Sequence, residues 1–233
     1  MSKFVDTLKN IDWNSSRDDF FTKEDNQLTS LEEYLQVLAH WAKSLETIYQ
    51  NNPALPFLRE AQVSAQDFIS VYSLSLYKNS AASMRTVFES ILYFSYFKDH
   101  AVELQSVTRD KFHLSRSQII SYHEKHTENF ASIYKKTSLD SILDNMYSEV
   151  SNIVHSSQPG IWHQRALLGK KSYDSHIANE TAKLFIQTIK VINLLLLCTL
   201  NYDEWITVPN KSRKVFLALL TESQIELINK QTV

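Results

Sequence analysis

Between residues 139 and 155 the apolar side chains Leu139, Ile142, Leu143, Met146, Val150, Ile153 and Val154 fall at the i, i+3, i+4, i+7 spacing of a single helical face. The pattern predicts an amphipathic helix that ends near His155. From 174 to 200, Ala178, Ala182, Phe185, Ile189, Ile192 and Leu196 alternate steps of four and three, and Ile177, Leu184, Val191 and Leu195 widen that stripe on one side. Thr181 and Thr188 interrupt the widened side, so the C-terminal half of this long helix is expected to be the more deeply buried. Residues 81–100 read differently. Met84, Val87, Phe88, Ile91, Leu92, Phe94 and Phe97 occupy nearly every face, which predicts a central, buried helix capped by Asn79-Ser80.

Turn and cap signals place the remaining elements. Thr29 and Ser30 each have a Glu three positions on (Glu32, Glu33), the capping-box spacing, which predicts a helix from there to about residue 50, where Asn51-Asn52-Pro53 stops it. A second helix is expected over 56–77, shorter ones over 115–126 and 127–136, and two last ones near 210–220 and 222–230. Residues 1–27 are polar, with Trp13, Phe20 and Phe21 as anchors, and read as an arm docked on the body. The organisation expected is therefore all-α: an arm over 1–27, a helical bundle over 28–203 and a C-terminal helical extension over 204–233 packed on it.

Composition narrows the class. Hydrophobic residues make up 43% of the 233 and aromatics 12%, enough to bury a substantial core, while two Gly and four Pro are too few for the turns of an all-β or doubly wound fold. A formal net charge of -2 gives no whole-molecule field toward nucleic acid or membrane, so any such binding must be local. The single cysteine, Cys198, excludes an internal disulfide framework and Cys-rich zinc sites, and fits a reducing compartment. The N-terminal stretch lacks the long apolar region of a secretory signal, and the apolar run 191–200 is shorter than the ~20 residues of a membrane span. These features predict a cytoplasmic protein that does not engage membranes.

Chemistry is sparse. With Gly160 and Gly169 alone, neither a P-loop nor a G-x-G-x-x-G turn can be written, and no cofactor is implied. His123-Glu124-Lys125-His126 has its histidines three apart, not the four a zinc-peptidase helix needs, and no further ligand is indicated, so no metal is expected. On the 139–155 helix, Ser141, Ser148, Asn152 and His155 lie opposite the apolar stripe, flanked by Asp144. They are small or neutral where a solvated face would carry Lys and Glu. That face, with Ser148 and Asn152 as its interface residues, is expected to be covered by the 174–200 helix, by a second subunit or by a ligand. His155 is also placed to cap its helix C-terminus, where an imidazole interacts favourably with the helix dipole.

The segment Ala81-Ala-Ser-Met-Arg85-Thr-Val-Phe-Glu89-Ser-Ile-Leu, together with the later Tyr147-Ser-Glu-Val-Ser-Asn-Ile-Val-His155-Ser, resembles the HEPN superfamily, in particular the HEPN-like proteins of bacterial anti-phage and other conflict systems. The resemblance spans roughly residues 28–200 and rests on short motifs. It implies a helical bundle, commonly a homodimer or paired with a partner protein of the same system, and in active members a metal-independent ribonuclease. Those enzymes use an Arg separated by four to six residues from a following His, which activates the RNA 2′-hydroxyl and stabilises the phosphate transition state. His155 matches that histidine by context, but the corresponding Arg positions hold Ser148, Glu149 and Val150. Arg116 and His123 do satisfy the spacing, with six residues between them, and are the second candidate pair.

Two further groups are candidates for RNA or another anion. Arg85 and Glu89, at i and i+4 on a largely apolar helix, form either a half-buried ion pair or a phosphate-facing Arg that Glu89 orients. Trp162, His163, Arg165, Lys170 and Lys171 lie in the loop that holds both glycines, with three fixed positive charges and an indole to stack on a base. Two functions remain open: a protein of a bacterial anti-phage or toxin–antitoxin type system that binds or cleaves RNA, and a catalytically inactive module of the same origin that dimerises or scaffolds a partner effector.

Overall fold

The computed structural model describes residues 2–110, 114–157 and 172–229, and among these the chain is all-α, with thirteen helices and no strand. In order these are α1 (Lys3–Lys9), α2 (Trp13–Lys23), α3 (Asp25–Ile48), α4 (Leu55–Ser73), α5 (Tyr77–Phe97), α6 (Ala101–Asp110), α7 (Arg116–His126), α8 (Phe130–Lys136), α9 (Leu139–His155), α10 (Ser175–Thr199), α11 (Tyr202–Thr207), α12 (Asn210–Leu217) and α13 (Glu222–Asn229).

The central position falls to α5, which packs against α4, α9, α10 and α7. Its all-round apolar character explains this: Met84, Val87, Phe88, Ile91, Phe94 and Phe97 are all buried, and only a polar strip including Arg85 and Glu89 is left half-buried. Beside it lies α10, whose residues from Val191 to Thr199 are all buried, as its widened stripe predicts. The two threonines that interrupt that stripe are buried as well. Each hydroxyl is satisfied by a carbonyl one turn back, Thr181 by Ile177 (2.6 Å) and Thr188 by Leu184 (2.8 Å), so neither leaves a polar group unpaired in the core. By length and composition α10 is also apolar enough to cross a membrane, beyond the 191–200 run read from the sequence. In this fold, however, 78% of that apolar window is buried inside the protein itself.

Several boundaries differ from expectation. The capping boxes at Thr29 and Ser30 do not start a helix, because α2 and α3 are nearly continuous and break only at Glu24, the C-cap of one and N-cap of the other. The expected single helix over 56–77 ends at Ser73. Ser75 then turns through the left-handed region (φ 59°), and α5 begins at Tyr77, ahead of the Asn79-Ser80 cap. The N-terminal arm contains two helices, and Phe20 seats it: the ring is fully buried, edge-on to Tyr72 (4.8 Å) and Tyr173 (6.5 Å). At the other end Trp205, Val208, Phe216 and Ile228 join the same hydrophobic core.

The scarcity of glycine leaves other residues in the left-handed conformations. Asn51, Ser75, Asn129, Ser138 and Ser156 all have positive φ, a conformation that costs a residue with a Cβ more than it costs glycine. The last of these ends α9 in a Schellman arrangement: the Ser157 N–H donates to the Asn152 carbonyl (3.1 Å) and the Ser156 N–H to the Ile153 carbonyl (3.3 Å). That cap leaves His155 as the final residue of α9.

Candidate functional site

Arg85 is held on α5 by the burial of its neighbours Met84, Val87 and Phe88, and its side chain runs out toward α9. Its Nε donates to Glu89 Oε1 (2.7 Å), one turn on, and its Nη2 donates to the Tyr147 hydroxyl (3.2 Å). The Tyr147 hydroxyl in turn donates to Glu89 Oε1 (2.9 Å), so carboxylate, phenol and guanidinium form a closed triangle across the α5–α9 packing. The remaining nitrogen, Nη1, meets His155 Nε2 in a close contact. A guanidinium can only donate, so this contact requires Nε2 to be the unprotonated, accepting nitrogen of the ring.

The electrostatics follow from this arrangement. Partial burial pulls the Arg85 guanidinium down, but its bonds to Glu89 and Tyr147 outweigh burial and hold it above its ordinary value. Burial first, and then the bond to Glu89, push the Tyr147 phenol up, so it stays a neutral donor. Arg85 therefore stays charged, with two of its five N–H groups uncommitted among the described residues.

Two further cations border the group. Lys78, two turns before Arg85 on α5, donates to the Ser156 hydroxyl (2.6 Å) beside His155. Arg116, the first residue of α7, pairs with Asp144 (2.6 Å) and lies over the Tyr147 ring at 4.6 Å from its centroid, while Arg85 lies 5.6 Å from the same centroid. Between Arg85 and Arg116 opens a cleft of about 260 Å³.

Of the residues singled out in the sequence, the fold thus brings together Arg85, His155 and Arg116, around Glu89 and Tyr147. It does not bring His123 to them. His123 is 1% exposed and faces the core, where its Nε2 meets the Ser95 hydroxyl (3.0 Å) and its Nδ1 the Thr127 hydroxyl (2.7 Å). Because Ser95 spends its one proton on the Leu92 carbonyl (2.8 Å), Nε2 must donate to Ser95 and Nδ1 must accept from Thr127. The Arg116–His123 spacing therefore does not form a pair: one side chain points to Asp144 and Tyr147, the other inward. Ser148 is exposed and Asn152 half-buried on the outer face of α9, and α10 covers neither Ser148 nor His155. Trp162, His163, Arg165, Lys170 and Lys171 lie outside the described residues. Among the described residues no group of His, Cys, Asp and Glu is placed to hold a metal.

His123 carries a measurable consequence. Burial, and then the nearby Lys98 charge, lower its pKa from 6.5 to about 4. The unfolded imidazole takes up a proton near its ordinary value and the folded one only near 4. Stability is therefore complete above that ordinary value and is lost as pH falls through the window toward 4. The loss is expected to be about 3 kcal/mol. Denaturant midpoints between pH 7 and pH 4.5 should fall more steeply for the wild type than for His123→Gln, and parallel slopes would refute the assignment.

Sequence reasoning had named Arg85, Glu89, Tyr147 and His155 as parts of one resemblance without pairing Arg85 with His155. Lys78 carried no signal in the sequence, and Asp144 stood there only as a flank of the α9 face; the packing of α5, α7 and α9 brings these side chains to Ser156 and Arg116. Set against known proteins, the chain matches no family model, no curated protein and no solved structure.

Proposed function

We propose that this chain is a HEPN-like, metal-independent RNA-binding and RNA-cleaving protein of a bacterial anti-phage or toxin–antitoxin type system, with its reactive centre at Arg85 and His155. The observation that carries the reading is the contact of the Arg85 guanidinium with His155 Nε2 at the open end of α9. The Arg missing from the positions before His155 on α9 has a spatial counterpart on α5. A phosphodiester reaching the site would take up the spare N–H groups of Arg85 and draw Nη1 away from the imidazole, freeing Nε2 as a base. His155 then accepts the 2′-hydroxyl proton, the 2′-oxygen attacks phosphorus, and the bond to the 5′-oxygen breaks, that oxygen taking a proton from water. The products are a 2′,3′-cyclic phosphate and a 5′-hydroxyl end. Glu89 and Tyr147 hold Arg85 in place, and Arg85 stabilises the charge that builds on the phosphate.

The test is incubation of the purified chain with a mixed-sequence RNA in excess EDTA. The expected outcome is cleavage leaving cyclic phosphate ends, and intact RNA, or cleavage that stops when metal is removed, would overturn the proposal.

A second reading, an inactive module that dimerises or scaffolds a partner, is favoured by one observation: Ser141, Ser148 and His155 on the outer face of α9 are exposed in the single chain. Light scattering separates the cases. On this reading the wild type is a dimer and Asn152→Arg a folded monomer. A wild-type monomer rejects the dimer.

A further inference from the structure

We propose that the cleft between Arg85 and Arg116 is a single-nucleotide subsite, which takes one base of an RNA strand and prefers bases that carry an exocyclic amino group. The proposal rests on the RNA reading above and adds to it where a neighbouring nucleotide sits and which bases it admits. Three kinds of surface meet in the cleft, and each answers one part of a nucleotide.

The walls are apolar and aromatic. Leu92, Leu114 and Ile119 are buried beneath the cleft, and the rings of Tyr93 and Tyr147 line its sides. Flat, apolar-sided space of this kind suits a base, which offers a π-face whatever its identity. At about 260 Å³ the cleft lies just below the ~300–1,000 Å³ of sites for drug-sized ligands, which suits one ring system rather than several.

The cations sit at the edge. Arg116 is half-buried and held by Asp144, whose side chain is 64% exposed; the carboxylate side of the pair is open to water, so a phosphate can compete for the guanidinium. With Arg85 reaching the same Tyr147 ring, a strand crossing the cleft can set successive phosphates on the two guanidiniums.

The remaining polar groups select. Both hydrogen bonds that Glu89 accepts from described residues fall on Oε1, so Oε2 is left as an acceptor, and a carboxylate accepts from an amino group but repels a carbonyl oxygen. Adenine, cytosine and guanine carry such an amine, and uracil does not. Burial first, and then the Glu89 charge, push the Tyr93 phenol up, so it remains a neutral wall at this end of the cleft.

The experiment is calorimetric titration of the full chain, in EDTA, with the four nucleoside 5′-monophosphates and with 2′-deoxy trinucleotides, which lack the attacking hydroxyl. AMP, CMP and GMP are expected to bind about tenfold or more tighter than UMP, because a site built to hydrogen-bond a group rejects the analogue lacking it. Arg116→Ala and Ser117→Trp, the latter filling the cleft from an exposed position, should each weaken binding about tenfold. Circular dichroism melts check that both variants fold.

Trinucleotides should bind more tightly than the matching mononucleotide, and equal affinity would reject the strand assignment. Absence of mononucleotide binding, undiminished binding by Ser117→Trp, or UMP bound as well as the others overturns the subsite, even if RNA is cleaved. Binding of the expected kind without cleavage supports the subsite and rejects the catalytic reading alone.

Discussion

His155→Ala is expected to slow metal-free RNA cleavage by ~10²–10⁴-fold, the usual contribution of a positioned general base, while leaving the melting temperature within error. The separation of the two effects follows from position. His155 is the last residue of α9, exposed, and its ring contacts Arg85 rather than the core. Arg85→Ala should behave differently. It removes the guanidinium that would meet the phosphate, and it also strips Glu89 and Tyr147 of a partner across the α5–α9 packing, where both are half-buried. Losing the charged partner of this half-buried pair costs about 1–3 kcal/mol, so activity and stability should fall together. Initial rates on a fluorescent RNA in EDTA, read beside denaturant midpoints of both variants, check this. If His155→Ala cleaved at the wild-type rate, α9 would not carry the base.

The largest loss of stability is expected from Trp41→Ala, about 3–5 kcal/mol, as for other fully buried large aromatics. The indole is 0% exposed and stacks on Phe216 with ring centroids 3.8 Å apart and planes within 7°. Its Nε1 donates to Asn193 Oδ1 (2.8 Å), and Asn193 Nδ2 donates to the Phe216 carbonyl (3.0 Å). One buried amide thus ties α3, α10 and α12 together. Trp41→Phe keeps much of the packing yet leaves Asn193 Oδ1 unpaired in the core, so it should cost about 1–3 kcal/mol. Asn193→Leu loses both bonds and should rank with Trp41→Phe or above. Urea unfolding followed by fluorescence and by circular dichroism measures the series, and an Asn193→Leu variant as stable as the wild type would show that the amide does not hold α12 in place.

Legibility in the sequence followed the strength of the apolar pattern. The helices α9 and α10 lie where their stripes predict, and Ser115 begins α7 with a complete capping box, its side chain accepting from Gln118 N while Gln118 returns to the Ser115 N–H. The helices that escaped notice, α1, α2, α6 and α11, bury little: α1 has no buried residue, and α11 buries Trp205 alone. A short helix with one anchoring side chain has almost no periodicity to read, and most of its stability comes from what it packs on.

The candidate site divides along the same line. Sequence could single out Arg85 with Glu89, because i and i+4 are neighbours on any helix, and it could place His155 at a helix end. A linear Arg-to-His spacing instead pointed to Arg116 and His123, and here it failed, because helical phase turns His123 inward onto Ser95 while Arg116 turns outward to Asp144. The partner that His155 meets lies 70 residues away in the chain. Local chemistry by itself therefore determined an all-α chain, the positions of its longest helices and which of them is central. These depend on periodicity and caps within one turn or two. Tertiary packing alone decided that Arg85, Tyr147 and Arg116 line one opening and that His155 meets Arg85, because contact between side chains on different helices depends on the crossing of α5, α7 and α9, and no spacing along the chain encodes that crossing.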